Sequence, residues 1–302
     1  MIDLRLGDCF EEIKKIKDES IDCVIIDPPY FLEGMGDSWN TEQLYMETEK
    51  GTVIRSMPVG MKFDVQQGKD FEKFMFSISS EIYRVLKKGG FYLSFSQPRL
   101  YHRMAVAVED CGFEIRDSII WVRDGQSKAF SQEHFVKKMD ISEEEKQTII
   151  NLLNGRKTPQ LTPMHEDIVL AQKPKDGTFV ENWIKHGVGL IDITQTVNGK
   201  LPSNIMCVEK PKGQEKTVHL TQKPVLLIEK LIKIFTKQGD TVLDCFMGSG
   251  TTGIACINSK RNFIGIEKDE MYYSISKERV FKAQRQETLF DYLQGGMTNE
   301  HF

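Results

Sequence analysis

The chain has 302 residues, enough for one large core or two modest domains, since single cores stop growing near ~250 to 300 residues. Its 40% hydrophobic and 28% charged residues are ordinary for a soluble globular protein, and no apolar run approaches the ~18 residues of a bilayer span; neither a membrane segment nor a signal peptide is expected, and the expected location is cytoplasmic. The net charge of −4 carries no global basic signature, and six cysteines without CxxC spacing argue against a zinc ribbon or a disulfide framework.

Ile2-Asp3-Leu4-Arg5-Leu6 reads as a strand, Gly7-Asp8 as a turn and 9–16 as a helix. The apolar run Cys23-Val24-Ile25-Ile26 then reads as a buried strand that stops at Asp27-Pro28-Pro29-Tyr30. Two consecutive prolines can neither donate to a sheet ladder nor continue a helix, so the backbone leaves the sheet there on a fixed extended path. The stretch is either a proline-terminated strand with a turn aspartate and a packing tyrosine, or half of a site.

Periodicity fails from 31 to about 69, and loops of such length tend to be functional. A helix over 70–87, stopped by Gly89-Gly90, a strand over 91–95, a helix over 98–109 and a strand over 113–122 follow. Regular alternation is lost from about 123 to 217, where a charged helix over 142–153 and a strand over 167–171 stand among glycines and prolines. It resumes with a helix over 222–236, a strand over 241–245, a helix over 251–258, a strand over 262–267 and a helix over 270–284, leaving a poorly constrained tail from 287. Such alternation predicts a parallel α/β sheet.

Asp244-Cys245-Phe246-Met247-Gly248-Ser249-Gly250-Thr251-Thr252-Gly253 lies between a strand and a helix, has GxGxxG spacing, and is followed by Glu267 at the end of the next strand. An acid there can take both hydroxyls of an adenosine ribose, so an adenosine-bearing cofactor is predicted. No lysine follows the glycines, which disfavours a P-loop. A dinucleotide survives the spacing test, but Asp244 repels phosphates and suits an ammonium group.

Phe246-Met247-Gly248-Ser249-Gly250 resembles the FxGxG S-adenosylmethionine motif, and Asp27-Pro28-Pro29-Tyr30 resembles the catalytic DPPY motif of amino-group DNA methyltransferases. His219-Leu220-Thr221-Gln222-Lys223-Pro224 is similar to the HPTQKP element of such enzymes, with Leu220 in place of proline. The order of motifs resembles the β class, of restriction-modification type. The resemblance implies a Rossmann-like fold with a mostly parallel, circularly reordered seven-stranded sheet and an inserted target-recognition region. It divides the chain into a catalytic half (1–123), a recognition region (124–217) whose strand near 167–171 could return to the catalytic sheet, a cofactor half (218–286) and a tail (287–302). It implies catalytic roles for Asp27, Pro28, Pro29 and Tyr30. Cofactor contacts are implied for Asp8, His219, Thr221, Lys223, Asp244, Phe246, Gly248, Gly250 and Glu267, with a turn aspartate the competing reading of Asp8 and an N-cap that of Thr221. DNA contacts are expected at Trp39, Arg55 and Lys62 and along the irregular middle region. No metal is implied; His134, His165 and His186 lack ligand spacing.

An exocyclic amine conjugated with its ring is a poor nucleophile, and hydrogen bonds to the Asp27 carboxylate and the Pro28 carbonyl would return its lone pair for direct transfer. No Pro-Cys dipeptide, the nucleophile of carbon-5 cytosine methylation, occurs in the chain. By resemblance the target is adenine N6, with cytosine N4 the close alternative. A nicotinamide oxidoreductase and a catalytically silent nucleic-acid-binding subunit are more distant ones. DNA, a companion endonuclease and a second copy of the chain are the implied partners.

Overall fold

The computed structural model describes residues 1–30, 65–125, 129–195, 201–217 and 222–297. Among the described residues, eight strands form one sheet in the order β1-β8-β7-β2-β3-β5-β4-β6. They are β1 (Ile2–Leu6), β2 (Ile21–Ile26), β3 (Leu86–Ser96), β4 (Glu114–Val122), β5 (His165–Gln172), β6 (Ile205–Cys207), β7 (Thr241–Asp244) and β8 (Asn262–Glu267). Only β5 runs against the others, pairing antiparallel with both β3 and β4. The expected seven strands are therefore eight: β6 has three residues, too few to show a period, and adds to the edge at β4 with Ile120 opposite Ile205. Trp121, buried in β4, fixes the chain beyond β6 by donating its indole N–H to the Val208 carbonyl at 2.7 Å.

Helices cover both faces, so β2 is buried from end to end and, after Asp22 near its start, reads as a continuous apolar run rather than an alternating one. Its side chains still alternate. Val24 and Ile26 join a cluster with helices α1 (Cys9–Ile13), α2 (Val65–Val85) and α3 (Tyr101–Asp110), through residues such as Ile13, Met75, Ile78 and Met104. Cys23 and Ile25 join the opposite cluster with Leu227, Leu231, Ala255 and Cys256. Those residues lie on α7 (Val225–Phe235) and α8 (Thr251–Asn258). Between β4 and β5 lie two short helices, α4 (Glu133–Val136) and α5 (Glu143–Leu152), and α6 (Phe179–His186) follows β5. The last helix, α9 (Glu270–Met297), runs well past the expected end at 284, because no glycine or proline interrupts the sequence before Gly295.

Other boundaries moved for identifiable reasons. Helix α2 starts before residue 70 because Gly68 packs against Arg103 of α3 and Gln67 accepts a hydrogen bond from Arg99 at 3.2 Å. The glycine pair after α2 lies inside β3 rather than ahead of it: Gly89, at φ +78°, exchanges hydrogen bonds with Lys173 and Gln172 at the end of β5. Pro98 sits in a turn, and α3 begins at Tyr101. Among the described residues, no helix is long and apolar enough to cross a membrane.

Candidate active site

Strand β7 lies beside β2, with Cys23 opposite Val242 and Val24 opposite Leu243. From this pair the chain moves in opposite directions across the sheet, from β2 to β3 and from β7 to β8. A crevice opens at the carboxyl ends of strands where the order reverses in this way. Asp27 follows β2 and Asp244 ends β7, so two acids far apart in sequence stand at one crevice.

Asp27 is held at both oxygens. The Tyr30 hydroxyl donates to its Oδ1 at 2.5 Å, and the Lys223 ammonium donates to its Oδ2 at 2.5 Å. Lys223 is buried at 7% exposure of its side chain, lies over the Phe95 ring, and stands 3.2 Å from Glu166 Oε2 as well. Glu166 in turn accepts from the Arg123 guanidinium at 2.9 Å. The result is a row of alternating charges, Asp27, Lys223, Glu166 and Arg123, drawn from the ends of β2, β5 and β4 and the segment before α7. Burial, with the like charge of Glu166, holds the Asp27 carboxyl above the usual carboxylate range, while Lys223 opposes the rise. Burial pushes Glu166 the same way, but Lys223 and Arg123 outweigh it and leave that carboxyl low.

The glycine-rich loop follows β7. The Asp244 carboxylate accepts the Phe246 amide at 3.0 Å and the Thr252 hydroxyl at 2.6 Å, tying the strand end to α8 across the loop. Gly248 and Gly250 take φ of +53° and +80°, in the left-handed region. A Cβ at Gly250 would also meet Ser276 Cβ of α9 at 2.9 Å. The Arg279 guanidinium donates to the Ser249 hydroxyl at 3.0 Å and bonds its carbonyl. At the end of the neighbouring β8, Glu267 accepts the Gly248 amide at 2.7 Å on one oxygen and the Asp269 amide at 2.9 Å on the other. Asp8, two residues past the end of β1, caps α1 by accepting the Phe10 amide at 2.9 Å. The half-buried Phe246 ring packs 5.9 Å from Phe74, which lies 5.7 Å from Phe10.

The family model N6_N4_Mtase, described as DNA methylase, matches residues 21–278. The chain belongs to the DNA methylase family. The Type II methyltransferase M.HindIII of Haemophilus influenzae is 31% identical over 297 residues, covering 91% of this chain and 93% of that protein. M2.DpnII of Streptococcus pneumoniae, also a Type II methyltransferase, is 27% identical, covering 91% and 87%. Among solved structures, an M1.HpyAVI complex with S-adenosylmethionine superposes with a TM-score of 0.57 at 25% identity over 93% of this chain and 99% of that one. The cytosine-N4-specific PvuII DNA methyltransferase, at 16% identity and a TM-score of 0.59, shares the fold over 95% of this chain and 92% of its own. The chain is therefore a DNA methyltransferase with the Rossmann-like fold of S-adenosylmethionine-dependent enzymes, and S-adenosylmethionine is its cofactor.

The residues of this DNA methylase fit that cofactor. Each Glu267 oxygen has spent one acceptor position on a backbone amide, leaving others for a pair of hydroxyls. The loop beside it passes through two positive-φ glycines, so backbone rather than side chain borders the crevice. Phe246 offers a ring at its edge, and Asp244 a carboxylate suited to an ammonium. Burial pushes the Asp244 carboxyl up to about 7, with Thr252 and the Phe246 amide pulling it partly back. Because the folded value exceeds the unfolded one, this group stabilises the fold most below the ordinary carboxylate pKa, and that contribution is lost as pH rises through about 7. Asp244→Asn is expected to show a smaller drop in stability between about pH 5 and pH 8 than the native protein, measured by urea unfolding without cofactor. Equal drops in the two proteins would remove Asp244 from the pH dependence.

Not every residue singled out in the sequence stands where it was expected. Lys223, grouped with the cofactor contacts, has its ammonium on Asp27 and Glu166 instead. Helix α7 begins at Val225 with Pro224 at the capping position, not at 222, because Gln222 is held in extended chain by the Thr217 amide and the Glu215 carbonyl. The Glu215 carboxylate, rather than a threonine, accepts the Val225 amide, at 2.7 Å. Tyr30 spends its hydroxyl on Asp27, and its ring lies 6.4 Å from Phe71 at a tilt of 49°. His219, Thr221, Trp39, Arg55 and Lys62 lie outside the described residues. Glu166 was missed: the strand reading began one residue after it, and only the reversed direction of β5 brings its first residues to the crevice.

Proposed function

We propose that the chain methylates the N6 amine of an adenine swung out of DNA, with Asp27, Pro28, Pro29 and Tyr30 as the catalytic stretch. The observation that carries this is the placement of Asp27 at the switch point between β2 and β7, next to the glycine loop and Glu267. Asp8, Asp244, Phe246, Gly248, Gly250 and Glu267 are the cofactor residues of this reading. His219 and Thr221 join them by the motif they share with the family, and Lys223 acts through Asp27. Trp39, Arg55 and Lys62 contact DNA.

When bound, S-adenosylmethionine supplies an electrophilic methyl group on sulfur. The Asp27 carboxylate and the Pro28 carbonyl accept hydrogen bonds from the two amine N–H groups, which returns the nitrogen lone pair to the reacting direction. Holding the reacting atoms at roughly 3 to 3.5 Å is the larger part of the task. The Asp27 carboxylate would stabilise the positive charge that develops on nitrogen as it receives the methyl group. One amine proton is surplus in the product and leaves through Asp27 to solvent. The Tyr30 ring, oriented by its bond to Asp27, stacks on the base; flipping costs a few kcal/mol and stacking returns about 1 to 3.

The chain divides into a catalytic half over 1–123, a recognition region over 124–217, a cofactor half over 218–286 and a tail over 287–302. In support, 123–164 leaves and returns at the crevice end of the sheet, although β5 within that region is a central strand of the sheet. The Type II designation of the relatives supports a companion restriction endonuclease. A homodimer, and a cytoplasmic place where DNA lies, complete the reading. Incubation with duplex DNA and S-adenosylmethionine, followed by digestion and nucleoside mass spectrometry, is expected to yield N6-methyladenine. N4-methylcytosine as the sole product would overturn the adenine assignment.

A further inference from the structure

Both oxygens of Asp27 already carry donors from the chain itself, the Tyr30 hydroxyl on Oδ1 and the Lys223 ammonium on Oδ2. An amine that is to be gripped by this carboxylate must displace or share with one of them. Lys223 cannot let go into an apolar surround, because an unpaired buried ammonium costs several kcal/mol. The surround is not apolar on its far side: Glu166 Oε2 lies 3.2 Å from the same nitrogen, and Arg123, at 2.9 Å from Oε1, fixes the glutamate in place and keeps it ionised.

We propose that Glu166, braced by Arg123, is a positioning residue for methyl transfer that takes Lys223 over from Asp27 when the target amine binds. The proposal rests on the role assigned to Asp27 above. The hand-over frees Oδ2 to accept an amine proton without stranding a charge. It also draws a positive ammonium away from the nitrogen that becomes positive during transfer. Glu166 needs no contact with base or cofactor for this; it acts through the lysine.

The charged and titratable groups facing Asp27 define the expected pH behaviour. They are Tyr30 after β2, Lys223 before α7, Glu166 on β5, Arg123 after β4 and Asp244 at the end of β7. His165 and Asp167 flank Glu166, with Asp124 and Lys210 further out. In Glu166→Gln, Lys223 loses the Glu166 anion and keeps Asp27. Asp27 then loses a like charge and retains its counter-ion, so its protonation moves to lower pH while its grip on the amine weakens. In Arg123→Gln, Glu166 protonates more readily, the hand-over fails earlier on acidification, and the acid limb moves to higher pH.

The test is the single-turnover rate of methyl transfer to duplex DNA across pH for the native enzyme, Glu166→Gln, Arg123→Gln and Asp27→Ala, with cofactor affinity measured by calorimetry on each. Glu166→Gln is expected to be slower on the order of tenfold, with its acid limb lowered by about 1 pH unit, and Arg123→Gln to show its limb displaced upward. Cofactor affinity is expected to stay within about twofold of native in both, and Glu166→Asp to recover part of the rate. A native rate and limb in both Gln variants overturns the proposal, as does a slower rate with no movement of either limb, which marks a merely structural role. If Glu166→Gln does not fold, the direction of the Arg123→Gln limb decides. An active Asp27→Ala brings down the site reading itself; an inactive one beside unmoved limbs brings down the hand-over alone.

Discussion

Asp27→Ala is expected to lower the rate of methyl transfer by about 10³-fold or more while leaving affinity for S-adenosylmethionine near native. In the proposed mechanism the carboxylate takes up an amine proton and opposes the charge that grows on nitrogen, so its loss falls on the transition state. The residues proposed to hold the cofactor stand on other elements: Glu267 at the end of β8, Gly248 and Gly250 in the loop after β7, and Asp8 after β1. Glu267 accepts the Gly248 and Asp269 amides and Asp8 the Phe10 amide, so these bonds do not pass through Asp27. Removing Asp27 leaves Lys223 with Glu166 as a partner, so the fold is not left with an orphaned ammonium. Transfer assayed with tritiated cofactor and binding measured by calorimetry separate the two effects. A variant within tenfold of native activity would take Asp27 out of the mechanism.

Glu267→Ala produces the complementary result, a loss of cofactor affinity on the order of 100-fold or more. Two losses combine. Hydrogen bonds from a ligand to an ionised carboxylate contribute about 1.5 to 3 kcal/mol each, and the amides of Gly248 and Asp269 lose the acceptor that fixes them. The loop that must present backbone to the cofactor is then no longer tied to β8. The same calorimetry reads the outcome, and at saturating cofactor the rate is expected to recover most of its native value. A variant that binds the cofactor as the native chain does would show that this acid serves only the loop. The two variants together test the proposed division of the site into a half that acts on the amine, at Asp27, and a half that holds the donor, at Glu267.

Much of this was legible in the sequence, and the limits have physical causes. The strand entering Asp27 was readable because burial on both faces leaves an unbroken apolar run ended by two prolines. The loop after β7 was readable because glycines at positive φ sit beside a strand, a helix and an acid. Helix α6 carries a complete local signature, a Thr178 to Glu181 capping box and Gly187 in the left-handed region, yet it is short and lies in a stretch whose glycines and prolines mask its period. The role of Lys223 was not legible, since the motif that contains it adjoins the cofactor loop in sequence whereas its side chain reaches the ends of β2 and β5. Glu166 had no signal at all: an acid before a strand is ordinary until the direction of that strand is known.

The reversed direction of β5 has a further consequence. Because Val122 pairs with His165, the chain departs from the sheet after β4 and rejoins it at the neighbouring position. Everything from 123 to 164 is thus attached by two adjacent stems, much as a cassette is seated in a fixed slot. Its length and content can change with no shift in the register of the sheet that carries Asp27. One of its stems holds Arg123 and the other Glu166, bonded to each other. The same slot that permits exchange of the intervening sequence therefore also clamps its ends beside the lysine that meets Asp27.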